Sequence, residues 1–247
     1  MYRFFAAEEN LGDGKIWIQG DDVNHIKNVL RMNPGDHLMV SFGKGVDYEC
    51  QILTLGQDQI DLEILREEPA VTELPVRLVL FQALPKKDKM ELIIQKAVEL
   101  GASEIVPVAS KRCVVKLDDK KAAKKLTRWQ GIAESAAKQS GRGFIPEIHE
   151  VLTFDQALSY ANNLQSLLIP YELSDNMAES VQAMKEACQG DSVGIFIGPE
   201  GGFERGEVDR AMEAGAKPIS LGKRILRTET AGMTTLSVLM FMIEGKE

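Results

Sequence analysis

From Pro75 onward, short continuous apolar runs alternate with longer stretches of helical spacing, and this alternation limits the fold more than any other feature. Residues 76–82, 104–109, 165–170, 193–197 and 217–221 read as buried strands. Between the first two, residues 88–100 set Met90, Ile93, Ile94, Ala97 and Leu100 on one helical side and stop at Gly101. Repeated strand–helix alternation predicts a mostly parallel sheet covered on both faces. Ligands of such sheets bind beyond the carboxyl ends of the strands.

The first seventy residues have a different rhythm. Residues 15–19, 37–42, 47–54 and 59–65 read as short, partly alternating strands. The turns Asn33-Pro34-Gly35-Asp36 and Gly43-Lys44-Gly45 separate some of them. Residues 21–30 read as one helix, with Asp21 or Asp22 as its N-cap. The pattern is that of a small β-barrel over residues 1–70, and residues 66–74 read as a linker to a second domain over residues 74–247.

Several chemistries are excluded or disfavoured. Cys50, Cys113 and Cys188 fit neither a disulfide framework nor a C-x-x-C site, and a reducing cytoplasm is the expected location. His25, His37 and His149 are scattered, so no metal site is expected. No serine lies in a G-x-S-x-G elbow. No apolar run suits a bilayer. The formal net charge of −8 is unevenly spread. Residues 1–70 hold 6 Lys/Arg against 13 Asp/Glu, whereas residues 86–143 hold 14 against 7, so an acidic partner is expected at the second segment.

Two strand ends carry the strongest site signal. Residues 193–197 run into Gly198-Pro199-Glu200-Gly201-Gly202, and residues 217–221 run into Gly222 and a loop ending at Thr228. Neither loop is G-x-G-x-x-G or a phosphate-binding G-x-x-x-x-G-K-[ST]. Loops at adjacent strand ends would present backbone amides and carbonyls side by side. Thr228 also reads as the N-cap of an apolar final helix, and Glu229 suits that helix's positive end.

These loops, "IGPEGGF" at 197–203 and "LGKRILRTETAG" at 221–232, resemble signature segments of the ribosomal RNA small-subunit methyltransferase E family, within the SPOUT superfamily. The resemblance extends to "RFF" at 3–5, "HIKNVLRMNPGD" at 25–36, "KMELIIQKAVELGASEIVPV" at 89–108 and "KLTRWQGIAESAAKQSGRGFIPEI" at 125–148. It implies a PUA-like N-terminal barrel, an α/β methyltransferase domain with a deep trefoil knot, and a homodimer. Periodicity alone argues against a knot.

The resemblance further implies S-adenosylmethionine as cofactor and N3 of a uridine in small-subunit ribosomal RNA as methyl acceptor. Backbone groups of Leu221, Gly222, Ile225 and Leu226 would read adenine, with Ile197 and Gly198 opposite. Gly201 and Gly202 would allow close approach, and Thr228 belongs to the same pocket. Glu229 or Glu200 would take the N3 proton, and Arg227 would hold an anion or a phosphate. Ribose-methylating relatives carry an arginine where this chain has Gln95, beside Lys96, so a base target fits better. For RNA, the candidates are Arg3, His25 and Arg31 in the barrel. Lys121, Lys124, Lys125 and Arg128 join them on a helix over residues 118–139, whose buried face would be Ala122, Leu126, Trp129, Ala133 and Ala136.

Two other classes stay open at this level. A non-catalytic RNA-binding or ribosome-assembly factor with the same fold would fail to bind the cofactor. A nucleotide-dependent oxidoreductase is disfavoured by the missing dinucleotide fingerprint.

Overall fold

The computed structural model describes residues 1–171 and 176–246. Residue 247, the last of the expected second domain, lies outside them. Contacts divide the chain into two compact units: Met1–Glu73 with Ala137–Ile145, and Leu74–Ala136 with Pro146–Glu247. The sequence division near residues 70–74 is contiguous, whereas the first unit also takes in the segment 137–145.

The first unit is built on β1 (Tyr2–Phe5), β2 (Leu11–Gly12), β3 (Lys15–Gln19), β4 (His37–Ser41), β5 (Val46–Leu55) and β6 (Gln59–Pro69). They form one sheet in the order β1-β4-β5-β6-β3-β2. Only β1–β4 is parallel. The pairing path has two ends, so the unit is a half-barrel and not the closed barrel expected. β6 also runs on to Pro69, into the first part of the expected linker. Alternation fixes which side is buried: Ile16, Ile18, Leu38, Val40, Ile52, Ile60 and Leu62 share a core with Phe4, Val23 and Ile26.

The expected helix over residues 21–30 is a single α turn, α1 (Asp21–Asn24), running into a π-helical stretch at His25–Val29. Gly20 holds the N-cap position, so Asp21 and Asp22 lie in the first turn. Asp22 instead accepts from Lys138 Nζ at 2.9 Å. The returning segment is anchored by charge. Arg142, almost fully buried, donates to both carboxylate oxygens of Glu73 at 2.6–2.9 Å, and Glu73 also accepts from the Gly143 amide at 2.6 Å. Arg3 is likewise an internal ion pair, 2.6 Å from Asp47.

The second unit contains β7 (Arg77–Ala83), α2 (Lys89–Glu99), β8 (Ala102–Ala109) and most of α3 (Asp119–Ser140). There follow β9 (Glu147–Ile148), β10 (Leu152–Thr153), α4 (Phe154–Ala161), β11 (Ser166–Pro170), α5 (Met177–Ala187) and β12 (Ser192–Ile197). The chain ends with α6 (Arg205–Glu213), β13 (Ala216–Ile219) and α7 (Thr228–Glu244). Every strand pair is parallel, in the order β10-β8-β7-β12-β11-β13, with β9 also beside β8. The central strands are apolar along most of their length because both faces are covered. On one face Val79, Phe81, Val106 and Phe196 meet Phe154, Ala157 and Leu158 of α4 and Val208 and Ala211 of α6. Phe81 and Phe196, partners across β7 and β12, stack with centroids 4.4 Å apart. On the other face α2 packs on β8, and α7 on β7 and β12. The predicted face of α3 is borne out at Trp129, Ala133 and Ala136, all buried.

The Arg142–Glu73 pair generates a test. Arg142→Met leaves a partly buried carboxylate without its cation, which costs about 3–5 kcal/mol. Urea unfolding followed by a probe in the first unit should show that loss, and an unchanged midpoint would contradict the anchoring role.

Candidate active site

Because every strand of the second sheet is parallel, the carboxyl ends of β7, β8, β12, β11 and β13 lie along one edge. The expectation that the two glycine loops leave neighbouring strands is corrected, since β11 lies between β12 and β13. The loops meet by another route. After β13 the chain runs without helix or strand to Arg227, and Thr228, the first residue of α7, reaches the end of β12. Its buried hydroxyl donates to the Gly198 carbonyl at 2.6 Å and accepts from the Gln82 side-chain amide at 2.9 Å. Thr228 is therefore not the N-cap. Arg227 holds that position (φ −67°, ψ 155°) without a side-chain capping bond.

Glycine is demanded by the first loop itself. A Cβ on Gly198 would come within 3.0 Å of the Phe203 nitrogen and 3.1 Å of Gly202, where the turn folds back on its own backbone. Gly202 and Gly222 have φ of 67° and 105°, which side-chain-bearing residues rarely adopt. At Gly201 a Cβ would find only ordinary contact with Arg112, whose guanidinium donates to the Gly201 carbonyl at 2.9 Å.

The charged candidates converge on one lysine. Glu200, in the first loop, and Glu229, in the first turn of α7, each have an oxygen 3.2 Å from Lys89 Nζ at the start of α2. The Lys86 amide donates to Glu200 at 3.1 Å. Burial pushes the Glu200 carboxyl up, but its own amide, the Lys86 amide and the Lys89 ammonium outweigh that and hold it below the usual carboxylate range. Lys89 is pushed up by Glu200 first and then Glu229, and stays charged. Glu229 Oε2 lies within ion-pair distance of Lys89, yet it is buried with no aligned hydrogen bond among the described residues. The distance carries the attraction, and the alignment leaves a lone pair unused. Gln82 Oε1 is also buried and unpaired. Arg227 is exposed and has no ion pair among the described residues.

Backbone groups supply the ligand-sized feature. Among the described residues, the amides and carbonyls of residues 223–226 form no hydrogen bond within the chain. Ile225 is 91% exposed and Ile197 is buried beneath the edge. A ligand with amide-like donors and acceptors fits such a rim, as does an adenine edge. No group of three or more His, Cys, Asp or Glu is placed to hold a metal among the described residues, and no described helix is long and apolar enough to cross a membrane.

The candidate phosphate ligands do not gather as one set of free cations. Arg3 is consumed internally. His25 is exposed with its ring edge-on to Phe4, and Arg31 is exposed at a left-handed φ of 54°. On α3, Lys121 pairs with Asp118 at 3.0 Å, Lys125 with Asp88 at 3.8 Å and Arg128 with Glu91 at 2.8 Å. Lys124 is exposed with no ion pair among the described residues. Lys96 pairs with Glu99 within α2.

A family model described as an RNA methyltransferase domain matches residues 72–240, and one described as an RNA methyltransferase PUA domain matches residues 18–65. The ribosomal RNA small subunit methyltransferase E of Bacillus subtilis (strain 168) is 39% identical over 230 residues, which is 92% of this chain and 90% of that one. The chain belongs to the ribosomal RNA small subunit methyltransferase E family. A solved structure of that enzyme from Neisseria gonorrhoeae, bound to S-adenosyl methionine, matches with a TM-score of 0.84. It is 34% identical and covers 98% of this chain and 97% of that one. A putative methyltransferase from Legionella pneumophila, in complex with the bound cofactor SAM, also has a TM-score of 0.84, at 33% identity over 96% of each chain.

Within this family member, sequence reasoning missed Gln82, Lys89 and Arg112. Gln82 had a signal: it is the polar residue inside the otherwise apolar run 78–83, at the carboxyl end of its strand. Lys89 had none, because one lysine in Lys86-Lys87-Asp88-Lys89 reads as solvated.

Thr228→Val keeps the shape of the side chain and removes its hydroxyl. The Gly198 carbonyl and the Gln82 amide then lose a buried partner, at about 1–3 kcal/mol. Urea unfolding should show that cost together with weaker S-adenosylmethionine binding. Wild-type values for both would mean that the hydroxyl does not tie the loops.

Proposed function

We propose that the protein transfers a methyl group from S-adenosylmethionine to N3 of a uridine in small-subunit (16S) ribosomal RNA. The observation that carries this reading is the run of free backbone groups at residues 223–226, beside a glycine loop pinned by Thr228. Leu221, Gly222, Ile225 and Leu226 would hold the adenine, with Ile197 and Gly198 opposite and Gly201, Gly202 and Thr228 shaping the pocket. The related structures titled as bound to S-adenosyl methionine support this assignment.

When bound, the sulfonium supplies an electrophilic methyl group. The protein's task is to orient the uracil, exclude water and remove the N3 proton. Glu229 is the proton acceptor, with a buried oxygen that has no aligned hydrogen bond. Glu200, already held by amide donors and Lys89, is a poorer base and serves as an anchor. Arg227, exposed at the start of α7, meets a phosphate or a uracil oxygen.

Further parts of the reading follow the family resemblance. Residues 1–70 act as the RNA-binding PUA-like domain through His25 and Arg31, and residues 74–247 form the methyltransferase domain. On α3, Lys124 and its neighbours add phosphate contacts. A trefoil knot is supported by the path of the last sixty residues: the chain leaves β13 at one end of the sheet order, yet α7 packs against β7 and β12 beyond β11. A homodimer is supported by Leu92 and Phe241, 43% and 77% exposed on the mutually packed α2 and α7.

The test is single-turnover methylation of small-subunit rRNA, with the product read by mass spectrometry. Wild type should form 3-methyluridine. Glu229→Gln should slow transfer by about 100-fold or more and keep cofactor affinity within a few fold. Wild-type rates for the variant would remove Glu229 as the acceptor.

A further inference from the structure

The two carboxylates near the site would by themselves repel an anion. Removing the N3 proton creates one, because the uracil ring then spreads a negative charge over N3 and its two flanking carbonyl oxygens. Glu200 and Glu229 add two more negative charges, offset within their cluster by Lys89 alone. An ammonium has three N–H donors. Oxygens of Glu200 and Glu229 lie 3.2 Å from the nitrogen, the Glu229 oxygen without an aligned hydrogen bond, so at most two N–H groups are engaged and, at 27% exposure, a third is left for an incoming group.

Resting on the methyltransferase reading above, we propose that Lys89 is a catalytic residue that donates its third N–H to a uracil carbonyl oxygen. The two glutamates then divide the work. Glu200, fixed by the Lys86 amide, holds the ammonium in place. Glu229 takes the N3 proton as the N3–methyl bond forms and the sulfur–methyl bond breaks, with the bonding pair staying on sulfur. The proton on Glu229 later leaves to water. The ionisable groups acting on the ammonium are Glu200 and Glu229, and both favour its charged form.

This arrangement also accounts for two carboxylates from separate loops meeting at one cation. A structural ion pair needs one carboxylate. Here the lysine at the start of α2 ties the β12–α6 loop to α7, and a uracil oxygen would be the third acceptor on its ammonium. The nearest alternative is that Lys89 only holds the loops together.

Three proteins should be compared, wild type, Lys89→Met and Lys89→Arg, by single-turnover transfer to small-subunit rRNA carrying either uridine or 5-fluorouridine. Fluorine makes the N3 proton more acidic and its anion easier to form. Lys89→Met should be slower than wild type by about 100-fold on uridine RNA, the usual effect of losing one donor to a developing anion. That gap should narrow at least several-fold on 5-fluorouridine RNA. Lys89→Arg should recover most of the rate, and all three should bind S-adenosylmethionine within a few fold of each other. A gap of the same size on both RNAs, or Lys89→Met within twofold of wild type, would overturn the proposal. A gap accompanied by lost cofactor binding would assign Lys89 to holding the loops and overturn it too. If wild type transfers no methyl group to either RNA, the methyltransferase reading itself fails, whatever the lysine variants do.

Discussion

The site depends on one hydroxyl. Thr228 sits where a loop from one end of the sheet order arrives at strands nearer its middle, and its Oγ1 joins the Gly198 carbonyl to the Gln82 amide. Neither partner is a neighbour in sequence. Without that junction, the half-buried Gly198 carbonyl would lose its partner and the buried Gln82 amide would keep only the Ala83 carbonyl. With it, the first glycine loop and the start of α7 become one edge. Among the described residues, the backbone of residues 223–226 forms no hydrogen bond beside it.

From that junction the chemistry follows by position. Starting α7 at Thr228 sets Glu229 in the first turn, where the helix dipole favours its charge. The same placement brings Glu229 to Lys89, and Lys89 to Glu200. Each of the three charged residues comes from a different segment. The family comparison supplies the reaction class, and the local geometry divides the labour among these side chains. Glu200 accepts from the Lys86 amide, whereas Glu229 Oε2 has no aligned hydrogen bond among the described residues, and the proposed division of roles rests on that difference.

Much of this was legible in the sequence. The continuous apolar runs located β7, β8, β11, β12 and β13 to within a few residues, because burial on both faces keeps their middles apolar, whereas the two-residue β9 and β10 carried no such run. Four of the half-barrel strands, β3 to β6, were legible by alternation, whereas the short β1 and β2 were not. Strand order was not, since nothing local in β11 says that it lies between β12 and β13. The returning segment 137–145 was invisible for a related reason: α3 crosses the division between units as one uninterrupted helical pattern. Charge was the least transferable signal. Arg3 looked like a phosphate ligand and is committed to Asp47, and most of the α3 cluster has acidic partners that come from other turns or helices. A charge count along the chain records the cations but not the partners that folding brings to them.

In this reading, backbone groups after β13 hold the cofactor. Hydrogen exchange of the backbone amides, followed by mass spectrometry with and without S-adenosylmethionine, tests it most directly. The amides of residues 223–226 should exchange quickly in the free protein and be protected on addition of cofactor. Amides in β1–β6, remote in the chain from those loops, should be unchanged. Rapid exchange at residues 223–226 in saturating cofactor, with protection elsewhere, would place the binding site away from this edge and contradict the account.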